Sequence, residues 1–166
     1  MRITGDFNPE TLKIRAKQKK KANKKLAARL KKVNPRALDE VVHYWHHQKF
    51  TEADCLECAN CCKSISPIVT GQDINRIAKH LKTKPSVLIA QYFEIDEDDD
   101  YVFRTQPCPF LGADNYCAIY EHRPRACRDY PLTDRIKFYQ ALDLSVKNTA
   151  ICPVVFEIFQ ELKEEF

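Results

Sequence analysis

The sequence predicts a small, mainly α-helical domain with irregular metal-binding loops, at most short strands, and a basic helical arm at the N-terminus. Three observations lead there. Apolar residues recur at helical spacing through much of the chain, only 3 of its 166 residues are glycine, and 8 are cysteines lying at or between the periodic segments.

The elements follow in order. From Lys13 to Arg36 the chain is dense in lysine and arginine, and Leu26, Leu30 and Val33 supply only a thin apolar stripe. A helix there has little to bury and needs a docking surface or a partner. Asn34 then offers a cap and Pro35 the preferred first helical residue. Leu38, Val41, Val42 and Trp45 recur at i, i+3, i+4 and i+7 in a helix running to about Phe50. Ser64 to Val69 reads as extended. Thr70 with Asp73 forms a capping-box signal for a helix whose apolar face is Ile74, Ile77, Ala78 and Leu81. Pro85 starts a shorter one carrying Leu88, Ile89 and Tyr92. Six of the seven residues from Glu94 to Asp100 are carboxylates, but the glycine of a calcium loop is missing, so a solvated turn is expected. Tyr101 to Phe103 suits a short strand, and 106–131 reads as compact loops with one or two helical turns. Cys152-Pro153 opens a last helix faced by Val155, Ile158, Phe159 and Leu162.

Charge divides the chain more sharply than its net +4 suggests. Residues 1–36 hold 13 Lys and Arg against 2 Asp and Glu, whereas the remainder is net acidic. The expected organisation is a basic arm over 1–34 and a cysteine-bearing domain over 35–166. Lys19, Lys20, Lys21, Lys24 and Lys25 form the arm's densest patch, and residues 11–36 are the candidate surface for RNA, DNA or an acidic protein. No apolar run reaches the roughly 18 residues of a membrane span, and the first residues lack the apolar core of a secretory signal. A cytoplasmic protein without membrane contact is expected. Neither GxGxxG nor GxxxxGK[ST] occurs, which removes the common nucleotide-binding readings.

The chemistry lies in Cys55, Cys58, Cys61, Cys62, Cys108, Cys117, Cys127 and Cys152. Disulfides need an oxidising compartment, and nothing in the sequence exports this chain. Scattered inert thiols would not cluster as Cys-x-x-Cys-x-x-Cys-Cys. A metal site explains that spacing, because a C-x-x-C turn brings two sulfurs to one ion or cluster. On a continuous helix Cys55, Cys58 and Cys62 would share a face, with Cys61 about 100° from Cys62. Either the segment is irregular and wraps a cluster, or the adjacent pair divides between two centres. Arg123, Arg125 and Arg128 flank Cys127, and Arg123 and Arg128 are candidates to stabilise an anionic thiolate cluster from beside it. His43 and His47 stand at i and i+4, but without the glutamate of H-E-x-x-H a zinc-peptidase reading fails, and these histidines read as ordinary polar residues.

The first cysteine block, Pro107-Cys108-Pro109-Phe110-Leu111, and the run from Cys117 through Arg123-Pro124-Arg125-Ala126-Cys127-Arg128-Asp129-Tyr130-Pro131 match in order the pattern of a known family. Over roughly residues 52–153 the chain resembles the CxxCxxCC family of zinc- or iron-chelating proteins, also called YkgJ-like cysteine-cluster proteins. Seven cysteines fall on the pattern directly, and Cys152 matches its looser downstream Cys-Pro position. The resemblance implies a bacterial, cytosolic protein with a cysteine-bound metal, often iron–sulfur. A flagellin lysine N-methylase is similar in its cysteine block, but no S-adenosylmethionine-binding segment is recognisable here.

The expected function is a cysteine-ligated metal protein with an electron-transfer, sensing or metal-handling role, carrying one or two iron–sulfur clusters of the 4Fe–4S type. Zinc is the alternative metal. A cluster-dependent protein-modifying enzyme and a nucleic-acid adaptor working through the arm are the alternative functions.

Overall fold

In the computed structural model, which describes residues 8–51 and 53–166, two Asn-Pro pairs start the first two helices. Asn8 accepts from the amides of Glu10 and Thr11 and opens α1, Pro9–Leu30. Asn34 accepts from Arg36 and Ala37 and opens α2, Pro35–Phe50. Each asparagine satisfies helix donors that would otherwise lack partners, and each proline sits where no amide is needed. The first seven residues of the expected arm lie outside the described residues. The expected boundary at 34 falls in the turn between these two helices.

Two short helices carry the first cysteines: α3, Cys55–Cys58, and α4, Asn60–Ser64. Between them Ala59 adopts a left-handed conformation, φ 45° and ψ 18°, which costs a residue with a Cβ about 1–2 kcal/mol. That break removes the continuous helix on which Cys55, Cys58 and Cys62 would have shared a face. The segment 65–70 runs on without joining a strand, although the Val69 amide reaches the Tyr101 carbonyl at 2.8 Å and the Ser66 hydroxyl the Phe103 carbonyl at 3.1 Å.

Next come α5, Gly71–His80, and α6, Pro85–Tyr92, followed by an antiparallel ribbon of β1, Phe93–Ile95, and β2, Tyr101–Phe103. The ribbon pairs Phe93 with Phe103 and Ile95 with Tyr101, and the acidic turn closes it. A single helical turn spans Tyr120–His122, and α7 spans Arg125–Asp129. After a turn at Phe138–Ala141 come α8, Leu142–Asn148, and α9, Pro153–Glu165. The mainly α expectation holds: among the described residues, one two-stranded ribbon is the whole sheet content. No described helix is long and apolar enough to cross a membrane.

Two compact units divide the chain, 59–130 and the segments flanking it. In the flanking unit, α1, α2, α8 and α9 surround a core containing Leu30, Leu38, Val42, Leu142, Ile158 and Phe159. Asp39 ties α2 to the turn before α8 by accepting from the amides of Lys137 and Phe138 at 2.7 and 2.8 Å. In the other unit Ile77, Leu88, Phe93, Phe103, Phe110 and Ile119 form the core.

The basic helix is docked rather than projecting. Leu26, Ala27 and Leu30 belong to the flanking unit's core, while Leu12 and Ala16 pack with Phe156. Its lysines at 17, 19, 20, 21, 24 and 25 all remain exposed. The thin stripe expected to need a docking surface has found one on α8 and α9.

Candidate metal centre

The unit formed by residues 59–130 brings together cysteines from three separate places. Cys62 lies on α4, and its carbonyl accepts from the Cys108 amide at 2.8 Å. Cys108 and Cys117 stand at the two ends of a tight loop. A Leu111–Cys117 bridge closes that loop, with Ala118 donating to Phe110 at 2.8 Å and Gly112 donating to Tyr116 at 2.7 Å. Gly112 suits this bend because a Cβ there would come within 2.6 Å of Asp114 Oδ1. Cys127 is carried by α7.

Two residues of α5 hold α7 in place. Asp73, 1 % exposed, completes the capping box with Thr70 and accepts from the Arg125 amide at 3.1 Å. Arg76 donates to Asp73 and, at 2.9 Å, to the Arg123 carbonyl. Burial alone would raise the Asp73 carboxyl, but the bonds from Thr70, Arg76 and Arg125 outweigh it and hold its pKa below the usual carboxylate value. The sequence marks Asp73 only as a helix cap; its reach to Arg125, 52 residues away, depends on the tertiary fold.

The thiols of this group feel one another. Burial raises Cys108 to about 11 and Cys127 to about 12, and it raises Cys117 as well. The neighbouring sulfurs push these three further up, since each charge makes the next more costly. The amides of Phe110 and Leu111 at Cys108, and of Ile119 at Cys117, work the other way. Cys62 differs. The Cys61 thiol, 3.9 Å from its sulfur, together with Arg123 and Lys63, overcomes burial and brings Cys62 down to about 7.

Arg123 also favours the thiolates of Cys117 and Cys127. Its guanidinium stacks 3.7 Å from the centre of the Tyr120 ring and donates to the Tyr120 carbonyl, so it is held at this group. Arg128, the other arginine expected beside the cysteines, lines a depression with Asp73 and Arg76.

Cys55, Cys58 and Cys152 belong to the flanking unit. Burial raises the Cys152 thiol to about 12, and Cys55 and Cys58 are near enough to push it the same way. The amides of Val154 and Val155 at the start of α9 favour its thiolate without closing a regular capping bond. The eight predicted cysteines therefore resolve into three in this unit and five in residues 59–130. None forms a disulfide.

Two histidines of α2 are engaged elsewhere in the flanking unit. His43 Nε2 is 3.1 Å from the Arg135 carbonyl, and His46 Nδ1 is 2.7 Å from Thr133 Oγ1. Burial lowers the His46 pKa.

The donor set fits a thiophilic metal: sulfur ligands, backbone amides turned toward several of them, and a fixed cation beside Cys62, Cys117 and Cys127. Among the described residues, however, no three His, Cys, Asp or Glu side chains are drawn together tightly enough to hold an ion as they stand.

A mainly helical domain with cysteines gathered from distant loops is the class these features define: a cysteine-rich chelating domain. The chain belongs to the CxxCxxCC family, described as "Putative zinc- or iron-chelating domain", whose model matches residues 54–153, more than half of its length. Comparisons with curated proteins and with solved structures returned no match.

Proposed function

We propose that this protein binds an iron–sulfur cluster through Cys62, Cys108, Cys117 and Cys127 and serves in electron transfer, sensing or metal handling in the cytoplasm. The observation that carries this reading is the convergence of these four sulfurs from α4, the Cys108–Cys117 loop and α7, close enough to influence one another, with Arg123 as counter-charge beside Cys62, Cys117 and Cys127. Held as thiolates, the four would bring several negative charges into one partly buried place, and a bound metal centre offsets that repulsion while displacing their protons. A multi-iron cluster is wide enough to be held by sulfurs carried on three separate segments. Cys55, Cys58 and Cys152 are three ligands of a second centre in the flanking unit, with Cys61 beside Cys62 as a reserve thiol. Zinc is the competing occupant, because a thiolate set accepts it readily.

Anaerobic purification followed by metal, sulfide and visible-spectrum analysis tests the assignment. A brown protein with acid-labile sulfide, whose visible absorption bleaches on reduction, is the expected result. A colourless anaerobic preparation with stoichiometric zinc and no sulfide would overturn it.

The face of α1 favours a second activity. Lys17, Lys21 and Lys25, and likewise Lys20 and Lys24, stand four residues apart, and each such like-charge pair costs about 0.2–0.5 kcal/mol. No Asp or Glu intervenes between Glu10 and Asp39 to relieve them. A nucleic-acid backbone laid along these lysines removes the repulsion and releases counterions. Changing Lys17, Lys21, Lys24 and Lys25 to glutamine is expected to lower RNA retention about tenfold at moderate salt and to flatten its salt dependence. Equal retention by the variant would remove this reading, and retention of an acidic protein alone would replace it.

A further inference from the structure

The arginines around Cys127 do not all face the thiols. On α7, Arg125 and Arg128 are three residues apart and share a face, whereas Cys127 points about 100° or more from either. Arg125 and Arg128 instead line, with Arg76, Gln72, Asn75 and Asp73, a depression of about 630 Å³. Neither is a structural counter-ion for the one carboxylate in that lining. Asp73 spends Oδ2 on Thr70 and Oδ1 on Arg76 and the Arg125 backbone.

Donor capacity is left over. Arg76 Nε is buried without a hydrogen-bond partner, and Arg128 is exposed and makes no ion pair among the described residues. Among the described residues the Arg125 side chain pairs only with Asp129, in a pair whose side chains are 76 % and 48 % exposed, and such surface pairs hold weakly. Three guanidiniums facing one satisfied carboxylate leave a net positive, donor-rich concavity. Planar guanidinium forks match the oxygens of phosphate.

We propose that this depression binds a phosphate oxyanion, carried by a small polar phosphomonoester. Its volume exceeds what a lone oxyanion fills and lies in the range of ligand sites. Gln72 and Asn75 offer amides to the remainder of the ligand, and the lining contains no aromatic ring on which a base could stack. The assignment stands on the arginines alone and does not depend on which metal the cysteines hold.

Calorimetric titration of the full chain, as purified with its metal, tests it. Glycerol phosphate, inorganic phosphate and malonate are compared at physiological chloride. Saturable binding of glycerol phosphate is expected with a dissociation constant of about 1 mM or tighter. Arg128→Ala and Arg125→Ala should each weaken it about tenfold, and Arg128→Lys should recover part of the loss. Arg36→Ala on α2 should change nothing. The metal-to-protein ratio should be the same in all four variants, which separates this role from support of the cysteines. Equal affinity for inorganic phosphate supports the oxyanion site and assigns its source to the free ion. Absence of saturable binding of either phosphate up to about 10 mM, unchanged binding in both alanine variants, or malonate binding as tightly, would overturn the proposal.

Discussion

Replacing Cys127 by serine is expected to remove most of the metal held by residues 59–130 and to unfold that unit at markedly lower denaturant. Its core is small, and its cysteines stand on three separate segments: α4, the Cys108–Cys117 loop and α7. Metal ligation closes these segments on one another, so its binding energy becomes folding energy, as in structural metal sites. A loss of about 3 kcal/mol or more is expected, measured by denaturant unfolding alongside metal analysis. Cys58→Ser should instead lower only the metal attributable to Cys55, Cys58 and Cys152, leaving the first complement in place. His43→Ala should leave metal content unchanged, since its ring bonds a backbone carbonyl. Undiminished metal and an unchanged unfolding midpoint in Cys127→Ser would refute shared ligation by the four.

Truncating Leu30 is expected to have the second large effect. Leu30 has no exposed surface and belongs to the core shared by α2, α8 and α9. Leu30→Ala therefore removes transfer energy and leaves a cavity, about 3 kcal/mol together. Asn23, fully buried on the same helix, makes no side-chain hydrogen bond among the described residues. The docking of α1 accordingly rests on apolar contacts and on the Arg15–Glu157 and Lys31–Asp143 pairs. Lys21→Ala on the exposed face should change stability by less than about 0.5 kcal/mol. Denaturant unfolding of the two variants side by side distinguishes a docked helix from a free arm; equal midpoints would mean that α1 contributes nothing to the fold. For the same reason lysine substitutions test nucleic-acid binding more cleanly than deletion of the helix, which would strip cover from α8 and α9.

Where local chemistry governs, the sequence was legible. Asn34-Pro35 set the start of α2, Thr70 and Asp73 that of α5, Pro85 that of α6, and Pro153 that of α9, since caps and prolines act within a few residues. The start of α1 at Asn8-Pro9 carries the same signal, four residues ahead of the lysine-dense stretch from Lys13. The seven-residue α8 was not anticipated, because a helix so short shows no periodicity and takes its stability from packing. Strand β1 has no sequence signal of its own for a related reason: three residues become a strand only when Tyr101–Phe103 pairs with them.

By itself, the sequence determined that the chain belongs to a family of cysteine-rich chelating domains, and that its scaffold is helical. The tertiary structure decided how those cysteines are distributed. Ala59 interrupts the first block, and Cys62 is placed with Cys108, Cys117 and Cys127 while Cys55 and Cys58 are placed with Cys152. Spacing specifies which residues can turn toward a common point within one loop. Which distant loops meet depends on bonds such as Asp73 to Arg125 and Cys108 to Cys62, whose partners lie 52 and 46 residues apart.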